Sequence, residues 1–143
     1  MPKLSGEVVL PGDKSISHRA ALFSAIREGV SYFENINFNQ DCLATIQCLQ
    51  ALGVSIETQE HGKLQIHGKN LKDWQKPEHE LNAENSGTTA RLLSALLVNL
   101  NFATRLIGDD SLSKRPMKRI IEPLTRMGAN IKSNDGYLPL EFE

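Results

Sequence analysis

Apolar residues along the chain recur in two rhythms. At Ile46, Leu49 and Leu52, and again at Ile120, Ile121, Leu124 and Met127, they return every three to four positions, as one core-facing side of a helix does. Between such stretches, short alternating runs such as Leu64-Gln-Ile66 read as strands. The predicted order is strand Glu7–Leu10, helix Ser17–Ile26, strand Ser31–Glu34, helix Asp41–Leu52, and strands Ser55–Thr58 and Lys63–Ile66. A second series follows: a strand near Leu81–Ala83, helix Thr88–Asn99, strand Thr104–Ile107, helix Pro116–Met127, and strands Asn130–Lys132 and Tyr137–Phe142. Gly53 and Gly128 fall just past their helices, where a left-handed residue ends the turn. His61-Gly62 and Asp135-Gly136 suit hairpin turns, and Asp41 is placed as a helix N-cap.

The two series are copies of one unit. Leu49-Gln-Ala-Leu-Gly53-Val-Ser-Ile56 aligns with Leu124-Thr-Arg-Met-Gly128-Ala-Asn-Ile131 at a displacement of 75 residues, while Arg19 and Arg91 are 72 apart. Repetition at this period predicts a repeated layout in which each helix pair needs a neighbour to cover its apolar face. The segment Lys69–Glu80, with Pro77 and the single tryptophan, Trp74, reads as the connection, and Trp74 as a lid over the core between copies.

A hydrophobic fraction of 40% in 143 residues suits a globular domain of ordinary size. A net charge of −1 without a sustained basic stripe argues against nucleic acid as a partner, since such binding neutralises many phosphates. No run of apolar residues is long enough to span a bilayer, and Lys3, Glu7 and Asp13 interrupt any signal-peptide core; no membrane partner is expected. Cys42 and Cys48 lie six apart on one helix, pointing to different faces, and read as cytoplasmic thiols. His18, His61, His67 and His79 show no ligand-like grouping, so neither metal nor cofactor is expected.

Chemistry concentrates in three segments. Pro11-Gly-Asp-Lys-Ser-Ile-Ser-His-Arg19 opens a helix with a glycine, a lysine, two serines and an arginine, groups that together hold a phosphate. The first N–H groups of a helix lack intrahelical partners and the dipole end is positive, so an anion there is stabilised. Asn85-Ser-Gly-Thr-Thr-Ala-Arg91 repeats the device before the apolar run from Leu92. In Gly108–Arg119, Pro116 fits a first helical turn, and Lys114, Arg115, Lys118 and Arg119 cluster where the dipole disfavours cations, as though an anion belongs there. The plain alternatives are an N-cap by Ser15 or Ser17 in the first case and a solvated basic face in the third.

Together these segments resemble the 5-enolpyruvylshikimate-3-phosphate synthase family, whose members transfer the enolpyruvyl group of phosphoenolpyruvate to the 5-hydroxyl of shikimate 3-phosphate. The carriers are Pro11–Arg19, Asn85–Arg91 and Ser111-Leu-Ser-Lys-Arg-Pro-Met117, in the family's order, and the likeness runs through nearly the whole chain. The resemblance implies that Lys14 touches both substrates and that Ser15 and Arg19 bind shikimate 3-phosphate. It further implies that phosphoenolpyruvate packs on Gly87 and is held by Arg115, with Asn85 and Thr88 also at the substrates. A methyl added at Gly87 would intrude on the pocket that glyphosate shares with phosphoenolpyruvate, which argues for sensitivity to that inhibitor, although Thr88-Thr89-Ala90-Arg91-Leu92 departs from the Thr-Ala-Met-Arg-Pro of one branch.

The family's fold is α+β, built from six βαβαββ units in two lobes, and this chain holds about two of them. The implied division is a first strand at 1–11 belonging to the other lobe, one unit at 12–70, a connection at 71–80 and a second unit at 81–143. The acidic catalytic residues and further basic ligands of the family lie outside these units, so no complete catalytic set is expected here and the chain alone should be inactive. Its uncovered surface should favour self-association or a complementary fragment. Two other readings stand beside this one. The sister family of UDP-N-acetylglucosamine enolpyruvyl transferases shares the fold but typically has asparagine where Ser15 stands. The other is a non-catalytic anion-binding or assembly module.

Overall fold

The computed structural model describes residues 5–8, 10–59 and 62–143. Its first series of elements is α1 (Lys14–Ala25), β1 (Gly29–Phe33), α2 (Gln40–Ala51), β2 (Ser55–Gln59) and β3 (Lys63–Gly68). The second is β4 (Leu81–Asn82), α3 (Gly87–Leu97), β5 (Thr104–Ile107), α4 (Lys118–Arg126), β6 (Ile131–Asn134) and β7 (Tyr137–Phe142). The architecture is α+β. One sheet has the order β1-β3-β2, antiparallel throughout; the other runs β4-β5-β7-β6, with β4 parallel to β5 and the rest antiparallel.

The repeat is visible at the level of single hydrogen bonds. The Val54 amide bonds the Leu49 carbonyl at 3.0 Å, and 75 residues on Ala129 bonds Leu124 at 3.0 Å, each closing its helix around a glycine at positive φ. Asp135-Gly136 forms the β6–β7 turn with positive φ at both residues, as the favoured two-residue hairpin turn requires. The expected turn at His61-Gly62 lies in part outside the described residues, which exclude His61.

Several expectations need correction. Of the strand predicted at 7–10, Glu7, Val8 and Leu10 form no strand, and Val9 lies outside the described residues. Val8 and Leu10 are 79% and 72% exposed, and a strand without a ladder partner leaves its polar groups unmatched. Helix α1 begins at Lys14, three residues earlier than predicted, because Asp13 is its N-cap and accepts from the Ile16 amide at 2.7 Å. Neither Ser15 nor Ser17 serves as that N-cap. Asp41 is not an N-cap either: Asn39 fills that place on α2, accepting from Cys42 at 2.9 Å. The helix predicted from Pro116 begins two residues later, after a 3-10 turn at Leu112–Lys114.

The core is continuous across both series. Leu22, Leu49, Leu52 and Ile66 from the first pack in one cluster with Leu81, Leu93, Leu106, Leu140 and Phe142 from the second, and Trp74 is buried in it. Helices α1, α2 and α3 pack on one another, so α2 buries Ile46 and Leu49. Helix α4 touches only α3 among the helices by more than marginal contact, and none of its residues is fully buried. Ile120 and Ile121 are half-buried as expected of core-flanking positions, whereas Met127 is 83% exposed, against the prediction that it is core.

Candidate active-site face

The first polar cluster grows from the start of α1. Gly12 precedes it where a Cβ would overlap the Asn35 carbonyl, and the Asn37 side-chain amide donates to the Gly12 carbonyl at 2.9 Å. Ser17 is buried and shared, its hydroxyl donating to the Asp13 carbonyl at 2.7 Å and accepting from the Asn37 amide at 3.0 Å. The loop before α1 is thereby fixed. Lys14 then lies against Asp41 of α2 in an ion pair that is part-buried. Ser15 and Arg19 are exposed.

The second cluster surrounds the start of α3. Ser86 is the buried N-cap, accepting from the Thr89 amide at 3.1 Å, and the Gly87 amide is turned to the Asn85 carbonyl at 3.1 Å. Asn85 stands between two charges: its side-chain N–H donates to Asp109 at 2.7 Å and its oxygen accepts from Arg115 Nη2 at 2.7 Å. Those bonds fix which way the amide faces, with its oxygen toward the cation. Asp109 also accepts from the Leu112 amide at 2.7 Å; the Asn85 donor, followed by that amide and the Arg115 charge among smaller causes, holds its carboxyl below the usual range. Arg91, one turn into α3, folds back to donate to the Gly87 carbonyl at 3.3 Å and the Pro116 carbonyl at 3.4 Å. Gly87 is consequently walled by two guanidinium groups. A Cβ there would lie 2.6 Å from Arg91 Nη1 and 3.6 Å from Arg115 Nη1.

Both helix starts are already partly satisfied by Asp13, Ser86 and Asn85, so an anion on this face would be met chiefly by side-chain cations. The structure thus brings Asn85, Gly87 and Arg115 together, with Thr88 half-buried on the same first turn. Of the four basic residues expected at the third segment, only Arg115 turns to this cluster. Lys114, Lys118 and Arg119 are exposed, with the Lys118 stem lying along Gly136. The two clusters meet through Asp41, whose carboxylate pairs with Lys14 and whose carbonyl accepts from the Thr89 hydroxyl at 3.1 Å. Asp41, Arg91 and Asp109 are the members that reading the sequence had not assigned to the site. Arg91 carried a signal, its match to Arg19 in the repeat.

The EPSP synthase (3-phosphoshikimate 1-carboxyvinyltransferase) family model matches residues 1–143. The chain belongs to the EPSP synthase family. The family likeness holds at high identity: 46% to the 3-phosphoshikimate 1-carboxyvinyltransferase of Desulforamulus reducens, across 99% of this chain and 33% of that protein. The enzyme of the same name from Bacillus cytotoxicus is 48% identical across 97% of the chain and 33% of its own length. The solved EPSP synthase of Acinetobacter baumannii superimposes with a TM-score of 0.91 at 42% identity, covering 96% of this chain and 31% of that one. This chain therefore spans about a third of the length of the EPSP synthases it matches, and its α+β layout is theirs. No helix among the described residues is long and apolar enough to cross a membrane.

Proposed function

We propose that this chain forms one face of a cleft in which the enolpyruvyl group of phosphoenolpyruvate passes to the 5-hydroxyl of shikimate 3-phosphate. The observation that carries this is the pair of cationic clusters on neighbouring helix starts, joined by Asp41 in a chain of the EPSP synthase family. Both substrates are anions, and preorganised donors and cations around them stabilise the charge that develops during transfer. Lys14 bridges the substrates, with Asp41 aiming its ammonium; Ser15 and Arg19 take shikimate 3-phosphate. Phosphoenolpyruvate lies on Gly87, where the lack of a side chain admits it beside Arg115, and Asn85 and Thr88 border it.

Proton transfer at the methylene carbon and at the attacking hydroxyl requires positioned acids and bases. In this reading they come from the two-thirds of an EPSP synthase that the chain does not span, so the chain binds and orients without turnover. Residues 12–70 and 81–143 act as two βαβαββ units joined through 71–80, and 1–11 belongs with the opposite lobe. Titration of the labelled chain with shikimate 3-phosphate, phosphoenolpyruvate and UDP-N-acetylglucosamine, followed at the amides of Lys14, Ser15, Arg19 and Gly87, tests it. Saturable shifts are expected with the first two ligands. Silence with both in a folded sample, or a response to the UDP-sugar alone, rejects the reading.

A further inference from the structure

The two cationic clusters are also joined from behind, by uncharged side chains. His18 is completely buried on α1. Its Nδ1 lies 2.8 Å from Thr45 Oγ1 on α2, which lies 2.7 Å from Thr89 Oγ1 on α3. Thr89 Oγ1 is in turn 2.7 Å from Ser86 Oγ and 3.1 Å from the Asp41 carbonyl. Thr45, Ser86 and Thr89 are all buried. None of these bonds reaches the exposed Ser15, Arg19 and Asn85 or the half-buried Arg115.

Proton counting gives the chain a direction. A hydroxyl donates once, and the Asp41 carbonyl can only accept. With Thr89 donating to Ser86 or Asp41, Thr45 donates to Thr89 and must accept from His18 Nδ1–H. This leaves His18 Nε2 as a bare acceptor, and Nε2 is the ring atom that has no partner. The opposite direction would strand an Nε2–H in the core, and orphaned buried donors are rarer than under-satisfied acceptors. Burial, with the nearby Lys14 charge, also holds the imidazole below its ordinary pKa against the smaller opposing pull of Asp41, which favours a neutral ring.

We propose that His18 is a positioning residue: as the neutral Nδ1–H tautomer it drives a Thr45–Thr89–Ser86 hydroxyl relay that sets Lys14 on α1 against the first turn of α3 at Gly87. Without that donor the relay is free to reverse, Thr89 turns its proton to Thr45, and the cap at Ser86 loses a bond. The inference rests on the reading above for its purpose, though not for its geometry.

Long-range proton–nitrogen correlation of the imidazole in the ligand-free chain tests the tautomer. A protonated Nδ1 and a bare Nε2 are expected; an Nε2–H ring overturns the proposal. Amide signals of Ser86, Gly87 and Thr89 should move in His18→Leu and stay near wild type in His18→Asn, whose side-chain amide presents an N–H where Nδ1–H stood. Equal movement in both variants, or none in His18→Leu, overturns it as well. Should His18→Leu fail to fold, Thr45→Val keeps the ring and breaks the relay at its middle, and the same signals must move. With inorganic phosphate as probe, the affinity read at Gly87 should fall about tenfold in His18→Leu, equivalent to ~1.4 kcal/mol, and hold in His18→Asn. If phosphate leaves wild-type Gly87 unmoved, the functional reading fails alone, and tautomer and shifts still decide the role of His18.

Discussion

Gly87 and Gly68 both sit close to other atoms, but one faces the end of a flexible side chain and the other fixed backbone. At Gly87 an added methyl would meet the far end of the Arg91 side chain, which can swing away, so Gly87→Ala should change the urea-unfolding free energy by less than about 1 kcal/mol while, under the proposed function, weakening phosphoenolpyruvate binding. At Gly68 a methyl would overlap the backbone carbonyls of Ser24 and Arg27, which cannot yield, and Gly68→Ala should lose about 2–3 kcal/mol in the same measurement. His18 contributes a pH dependence with a definite sign. Its folded pKa lies below the ordinary 6.5, so the unfolded chain binds the proton more readily; stability is complete above 6.5 and falls as pH drops toward the folded value. Urea midpoints between pH 7.5 and 5 should decline more steeply for wild type than for His18→Asn; parallel curves would refute this. The placement of Lys14, Gly87 and Arg115 at or just before helix starts was legible in the sequence, because each of the three motifs precedes a helical apolar run. The partner of Asp41 was not, since an acid near a helix start suits capping or a distant lysine equally, and only the packing of α1 on α2 decides between them.

At the scale of elements, α2 and α4 carry nearly the same apolar spacing in register with the repeat, yet they end in different environments. α2 has α1 on one flank and α3 on another; among the helices α4 has more than marginal contact with α3 only. Leu49→Ala should accordingly cost about 2–5 kcal/mol by leaving a cavity, whereas Leu124→Ala on half-covered α4 should cost about 1 kcal/mol or less, read from denaturant midpoints. Equal losses would mean α4 is better covered in solution than its packing suggests. Periodicity found the four α-helices among the described residues, and turn and cap residues found the two helix-ending glycines and the β6–β7 hairpin, because each depends on local residues. It failed where the deciding partner is remote. Leu10 alternates like a strand residue but has no ladder beside it, and Met127 has helical spacing yet stands mostly in solvent.

Across the whole molecule, apolar side chains stand in solvent: Phe23, Tyr32, Ile16 and Met127 are all more than half exposed. If association covers these side chains, sedimentation velocity should give a weight-average coefficient that rises with concentration; a constant monomer value would count against it. The buried interior behaves differently, because residues of both repeats share a single cluster. Its most telling member is Cys48 on α2, whose thiol points at the Asn82 carbonyl of β4 and is pushed up to about 12 by burial. A thiol at that pKa is unreactive while α2 and β4 stay together. The chain therefore carries a built-in clock: with Cys42 replaced by serine and a reagent fast enough to outpace reclosing, the rate of Cys48 labelling under native conditions times the opening that separates α2 from β4.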